Sequence, residues 1–144
     1  MLLAVAGHEQ IQSDIIPRIA TGFCGGLSHT AGMCGAVSGG IMAIGLCLGR
    51  NSPAEQNQVC YEAVKSFMQS FSAQFGELNC KKLTGVHLGT PEGQALFEAS
   101  GQIRQCTEYV GEAVRMVLEG VSLQAGHAND DKEEIHKNHE LRGG

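Results

Sequence analysis

The chain has 144 residues, 42% of them hydrophobic, and a formal charge of −5. That suffices for one domain with its own core, since a chain of about 150 residues buries roughly two thirds of the surface its unfolded form exposes. Ten Lys and Arg form no basic stripe to neutralise phosphates, and no Trp with only two Tyr leaves few stacking platforms, so nucleic acid is set aside as a partner.

The opening MLLAVAGHEQIQ has no basic residue ahead of its apolar run, and the run is too short for the core of a signal peptide. A cytoplasmic location is therefore expected. In a reducing compartment the six cysteines read as metal ligands, as catalytic or sensing thiols, or as small core hydrophobes, and not as permanent disulfides.

In chain order the sequence predicts helices and no convincing strand. Ser13 and Asp14 are placed to cap a short segment through IIPRIAT, which Gly22 ends. From Ala31 to Leu48, the residues Cys34, Val37, Ile41, Ile44 and Leu48 fall at the three-and-four spacing of one helical face. NSPAEQ is a start signal: Ser52 can cap, Pro53 fits the first position, where its missing N–H costs nothing, and Glu55 sits three residues after the cap. The helix so begun should reach Phe75, with Cys60, Val64, Phe67, Phe71 and Phe75 inward, Met68 beside them and Gly76 as the stop. TPEGQALFEAS repeats the signal, with Thr90 as cap and Pro91 first, for a short helix to about Ser100. The last regular helix, Gln102 to Leu123, turns Ile103, Cys106, Val110, Val114, Val117 and Val121 to one side.

After residue 125 the apolar repeat stops and charge concentrates, so residues 126–144 read as a charged flexible tail. Its His127, His136 and His139 are a poor basis for a preorganised metal site. The expectation is an all-α single domain over residues 1–125, a bundle of five or six helices around a buried Gly-rich central helix. That helix lies in the stretch Cys24 to Gly49, which holds three cysteines and eight glycines and no charged side chain. Nineteen residues of it, Ala31 to Gly49, approach the length of a membrane span. Six of them are glycine and no Trp or Tyr flanks them, so a buried helix is preferred to a span.

CGAVSG, from Cys34 to Gly39, followed by GIMAIGL, resembles the motif of the redox-active family named for its pattern of Cys, GCAxxG, Cys and Cys. IIPRIATGF resembles the family's approach to that motif, FGELNCKKLTG the segment with its next cysteine, and QIRQCTEYVGEAV the segment with its last. The likeness covers about Ile15 to Val117. It implies that Cys34, Cys80 and Cys106 correspond to the second, third and fourth family cysteines. The first family cysteine has no clean match. MLLAVAG resembles the remainder of the helix that carries it, so either that cysteine lies outside this sequence or Cys24 in GFCGG takes its place.

The resemblance thus implies a redox-active protein with Cys34, Cys80 and Cys106 as catalytic thiols and Cys24, Cys34, Cys80 and Cys106 as a metal set. Four thiolates suit an iron–sulfur cluster or zinc, and three with an open position suit a labile cluster or a reactive thiol–disulfide pair. Gly35 and Gly39 would let the Cys34 helix approach a bound cofactor or a second sulfur. Split-Soret cytochromes are similar relatives, but no C-x-x-C-H is present, so covalent haem is not expected. The rival is a zinc-binding or structural protein with buried free thiols and no redox ligand. Cys47 and Cys60 are assigned to the core, and His29, between Cys24 and Cys34, is a candidate to ligate or to adjust a thiol. The redox partner is open. Leu2, Leu3 and Val5 begin the chain abruptly, and a homodimer formed through this apolar surface is expected.

Overall fold

The computed structural model describes residues 1–140, with side chains as far as Gln124. Among the described residues the fold is all-α, with seven right-handed helices and no sheet: α1 Leu2–His8, α2 Ile15–Ala20, α3 Gly35–Leu48, α4 Gln58–Phe75, α5 Cys80–Thr84, α6 Pro91–Ala99 and α7 Ile103–Glu140. The count exceeds five or six because MLLAVAG and the short CKKLT segment each close a helix of their own. The segment Cys24–His29 is a left-handed turn, with positive φ at Gly25, Gly26, Leu27 and Ser28 inside it and at His29.

α3 is the central helix, packed against α1, α4 and α7. Val37, Ala43 and Ile44 are sealed in the core, and Gly39 and Gly40 are buried with them. The ring of Phe67 lies against Gly40, where a β-carbon would stand only 2.6 Å from Phe67 Cε1. Glycine here makes room for an aromatic ring. Phe71, wholly buried, meets Phe75 at 4.7 Å between ring centroids, and Phe75 meets Tyr109 edge-on at 4.8 Å, which locks α4 to α7. Truncating such a ring typically costs about 3–5 kcal/mol.

Several starts and stops fall where the sequence places them. Thr90 Oγ1 accepts from Gly93 N with Pro91 first in α6, and Gly76 ends α4 at φ +83°. The NSPAEQ signal acts over one turn only. Glu55 N donates to the Ser52 carbonyl and Asn51 N to Glu55 Oε2, but the chain unwinds and α4 begins at Gln58. Capping contacts can close a single turn without propagating it.

Two further departures bear on function. α3 starts at Gly35, so Cys34 is not on a helical stripe; it is the N-cap, in an extended conformation at φ −59° and ψ 138°. In α7 the sealed face is Tyr109, Ala113, Val117 and Val121, with Cys106, Val110 and Val114 half-buried beside it. A helix seated between two others buries a broad arc, whose middle here runs through Tyr109, Ala113, Val117 and Val121, so that Cys106, Val110 and Val114 of the expected stripe fall at its edge. Ile103, expected inside, is 63% exposed. α7 also continues beyond Leu123, where the apolar repeat ends, to Glu140; the side chains of His127, His136 and His139 lie outside the described set. In α1, Leu2, Val5 and Ala6 are buried in the chain's own core while Leu3 stays at the surface. No helix among the described residues is long and apolar enough to cross a membrane.

Candidate functional site

Cys34 and Cys80 are brought together by a short backbone bridge. Met33 and Asn79 pair in antiparallel fashion, with Cys34 N donating to Leu78 O at 2.8 Å and Cys80 N to Gly32 O at 2.8 Å. Successive residues of an extended strand alternate in direction, so Cys34 and Cys80, each one step past the paired residues, share one face. Asn79 secures the crossing: its side chain donates to Ala31 O at 2.6 Å and accepts from Lys82 N at 3.2 Å, capping α5. Both thiols are buried, Cys34 at 8% exposure and Cys80 at 7%.

Cys106 arrives from the first turn of α7, and Tyr109 of that helix, with Gln102 just ahead of it, holds the Cys80 helix in place. The last carbonyls of a helix lack intrahelical donors. In α5 those of Leu83 and Thr84 are met from α7 and the residue before it: Tyr109 Oη donates to Leu83 O at 3.3 Å, and the Gln102 side-chain amide donates to Thr84 O. The elements bearing Cys80 and Cys106 are therefore joined through two side chains that hydrophobic spacing did not single out.

Cys24 comes from the left-handed turn. Leu27, Ser28 and His29 hold φ values of 51°, 54° and 68°, a conformation that costs an L-residue about 1–2 kcal/mol each. The turn is held by Ser28 Oγ donating to Gly22 O at 2.9 Å, Thr30 Oγ1 to Leu27 O at 2.9 Å, and Gly32 N to Gly26 O at 3.1 Å. Gly26 lies directly against Cys80: a β-carbon there would collide with Cys80 Cβ and stand 2.9 Å from its Sγ. Gly35 faces the backbone of Cys24, where a β-carbon would be 3.5 Å from Cys24 Cα and 3.3 Å from Phe23 O. Ser38 Oγ lies 3.3 Å from the carbonyls of both Phe23 and Cys34, so the serine of CGAVSG ties the turn to the start of α3.

All four cysteines line one cavity of about 740 Å³, together with Gly35 and Gly39. Cys34, Cys80 and Cys106 all line it, and Cys24, exposed, stands at the same wall. Gly39 borders the cavity and also faces Met1, whose Cγ would be 3.0 Å from an added β-carbon. His29 is a lining residue, its ring against Gly25. Cys47 and Cys60 take no part; both are half-buried at the edge of the core.

The thiols act on one another electrostatically. Burial pushes the Cys80 thiol above its ordinary range, and the neighbouring Cys34 adds to this, while a hydrogen bond with Thr84 opposes it. Cys106 is raised by burial and then by Cys34 and Cys80. Tyr109 is raised by burial and by Cys106 and Cys34. Cys47 is raised by burial and by Glu9, well away from this cluster. Among the described residues no three His, Cys, Asp or Glu side chains are grouped closely enough to hold a metal ion as they stand.

The chain is thus an all-α domain in which four cysteines, drawn from separate elements, line one cavity. Over residues 1–120 the sequence matches the family described as "Putative redox-active protein (C_GCAxxG_C_C)", and the chain belongs to that family. No curated protein and no solved structure gives a match.

Proposed function

We propose that the chain is an electron-transfer or redox-sensing protein in which Cys34, Cys80 and Cys106, with Cys24 as the fourth ligand, hold an iron–sulfur cluster. One observation carries this reading: four thiols from four separate elements line a single cavity.

The donor chemistry fits, because thiolates are the usual ligands of such clusters. The walls leave room for the group, around which the sulfurs would have to draw closer than they stand. Added β-carbons at Gly26 and Gly35 would press on Cys80 and on the Cys24 backbone, so both glycines keep the walls open to the sulfurs. Diagonal residues of an antiparallel pair stand about 7–8 Å apart, whereas a disulfide prefers α-carbons about 4.4–6.8 Å apart. Cys34 and Cys80 are diagonal in this sense, which suits a bridging group better than a direct S–S bond. α3 and α7 both begin at the cavity wall, and helix N-termini favour the negative charge of thiolates. When bound, the cluster would supply one-electron chemistry. The protein's part is to position the four sulfurs, limit water and set the local field.

The test is anaerobic purification or reconstitution, followed by iron, sulfide and absorption measurements on single substitutions. Cys34→Ser, Cys80→Ser and Cys106→Ser should lose most of the iron, Cys24→Ser should lower its retention, and Cys47→Ala and Cys60→Ala should change nothing. Iron-free protein that instead forms a Cys34–Cys80 disulfide on oxidation would replace this reading with thiol–disulfide exchange.

A further inference from the structure

The cavity is larger than its thiols require. Its volume of about 740 Å³ falls within the range of about 300–1,000 Å³ usual for small-molecule sites. Beyond the sulfurs, its walls include Leu3, Phe23, Leu88, Phe97, Ile103 and Val110, and no Asp, Glu, Lys or Arg lines it. An anionic nucleotide or sugar phosphate would find no Lys or Arg side chain there to offset its desolvation. Leu3 and Ile103, although part of this wall, are 61% and 63% exposed, so the apolar surface continues outward into solvent. His29 and Thr21 supply polar groups on the lining.

We propose that this cavity binds an uncharged, apolar molecule of the quinone class as the electron partner of the cysteine site. The proposal rests on the redox reading of that site and names its partner. A quinone takes up two electrons, one from each of two successive oxidations of the reduced cysteine site, and two protons from solvent to become the quinol, so it is neutral in both states, in keeping with walls that carry no Asp, Glu, Lys or Arg. The His29 imidazole is the lining group able to meet a ring oxygen, since Thr21 Oγ1 already donates to Pro17 O. Leu3, Phe97 and Ile103 would pack on its ring and substituents.

The experiment uses the metal-free full chain under argon. N-phenyl-1-naphthylamine, an uncharged fluorophore, reports occupancy, and duroquinone competes, its ring having no free position for thiol addition. Saturable fluorescence, displacement by duroquinone, and at least tenfold weaker binding in Leu3→Glu and Ile103→Glu are expected. Both side chains are already exposed, so melting temperatures should hold; Leu3→Ser serves as the milder variant if Leu3→Glu does not fold. Four results would overturn the proposal: no saturable binding, equally tight binding of the anionic 8-anilinonaphthalene-1-sulfonate, failure of duroquinone to compete, or a stable dimer that buries Leu3 and Ile103 and excludes the probe. Probe and duroquinone binding by a chain that takes up no iron would sustain the pocket and overturn the cluster. Iron uptake without such binding would do the reverse.

Discussion

Replacing Gly26 by alanine tests whether the left-handed turn is built around Cys80. Gly26 holds φ +65°, and a methyl group there would collide with Cys80 Cβ and come within 2.9 Å of Sγ. The left-handed conformation costs alanine about 1–2 kcal/mol and overpacking adds about 1–3 kcal/mol, a total of about 2–5 kcal/mol. At about 3 °C per kcal/mol for a chain of this size, the metal-free protein should melt roughly 6–15 °C lower. Gly40→Ala is the control. Its β-carbon would stand 2.6 Å from Phe67 Cε1, so it too overpacks the core, but Phe67 and not a sulfur must move. Thermal and urea unfolding should therefore show both variants destabilised, and anaerobic reconstitution should show iron and sulfide lost mainly from Gly26→Ala. A Gly26→Ala protein that melts within a degree of the parent would refute the packing argument, and equal iron retention in the two variants would refute its link to the site.

Gly39→Ala should change stability by less than about 1 kcal/mol, because the helical gain of alanine offsets a contact that the flexible Met1 side chain can relieve; a loss above about 2 kcal/mol in urea unfolding would show that Met1 cannot move. The raised thiols of Cys80 and Cys106 give stability that is fully present below the unfolded value of 9.0 and is lost as pH rises through their higher folded values. Metal-free protein should accordingly weaken in urea melts above about pH 9, with a shallower decline in Cys80→Ser or Cys106→Ser; an unchanged slope would count against mutual thiol destabilisation. Tyr109→Phe removes the bond to Leu83 O and should cost about 0.5–1.5 kcal/mol while loosening the hold on α5. Faster amide exchange at residues 80–84 would report that loosening, and unaltered exchange would speak against it.

The all-α class, the Thr90 and Gly76 signals and the inward Val37, Ile44, Phe67 and Phe71 were legible because they depend on residues three or four apart, the range over which a helix is written in sequence. The family resemblance selected Cys34 and Cys106 over Cys60, which helical spacing alone had grouped with them, and added Cys80, which no stripe contained. Local sequence could not reveal that Cys34 would leave its helix for an extended pairing with a segment 45 residues later, or that Gly26 would back onto Cys80. Nor did periodicity mark Gln102 and Tyr109, whose value lies in two carbonyls at the far end of another helix. Periodicity records which face of an element avoids water. That four cysteines line one cavity depends on how those elements cross, and only the tertiary structure decides that, since backbone pairing, aromatic packing and close glycine contacts act between residues distant in the chain.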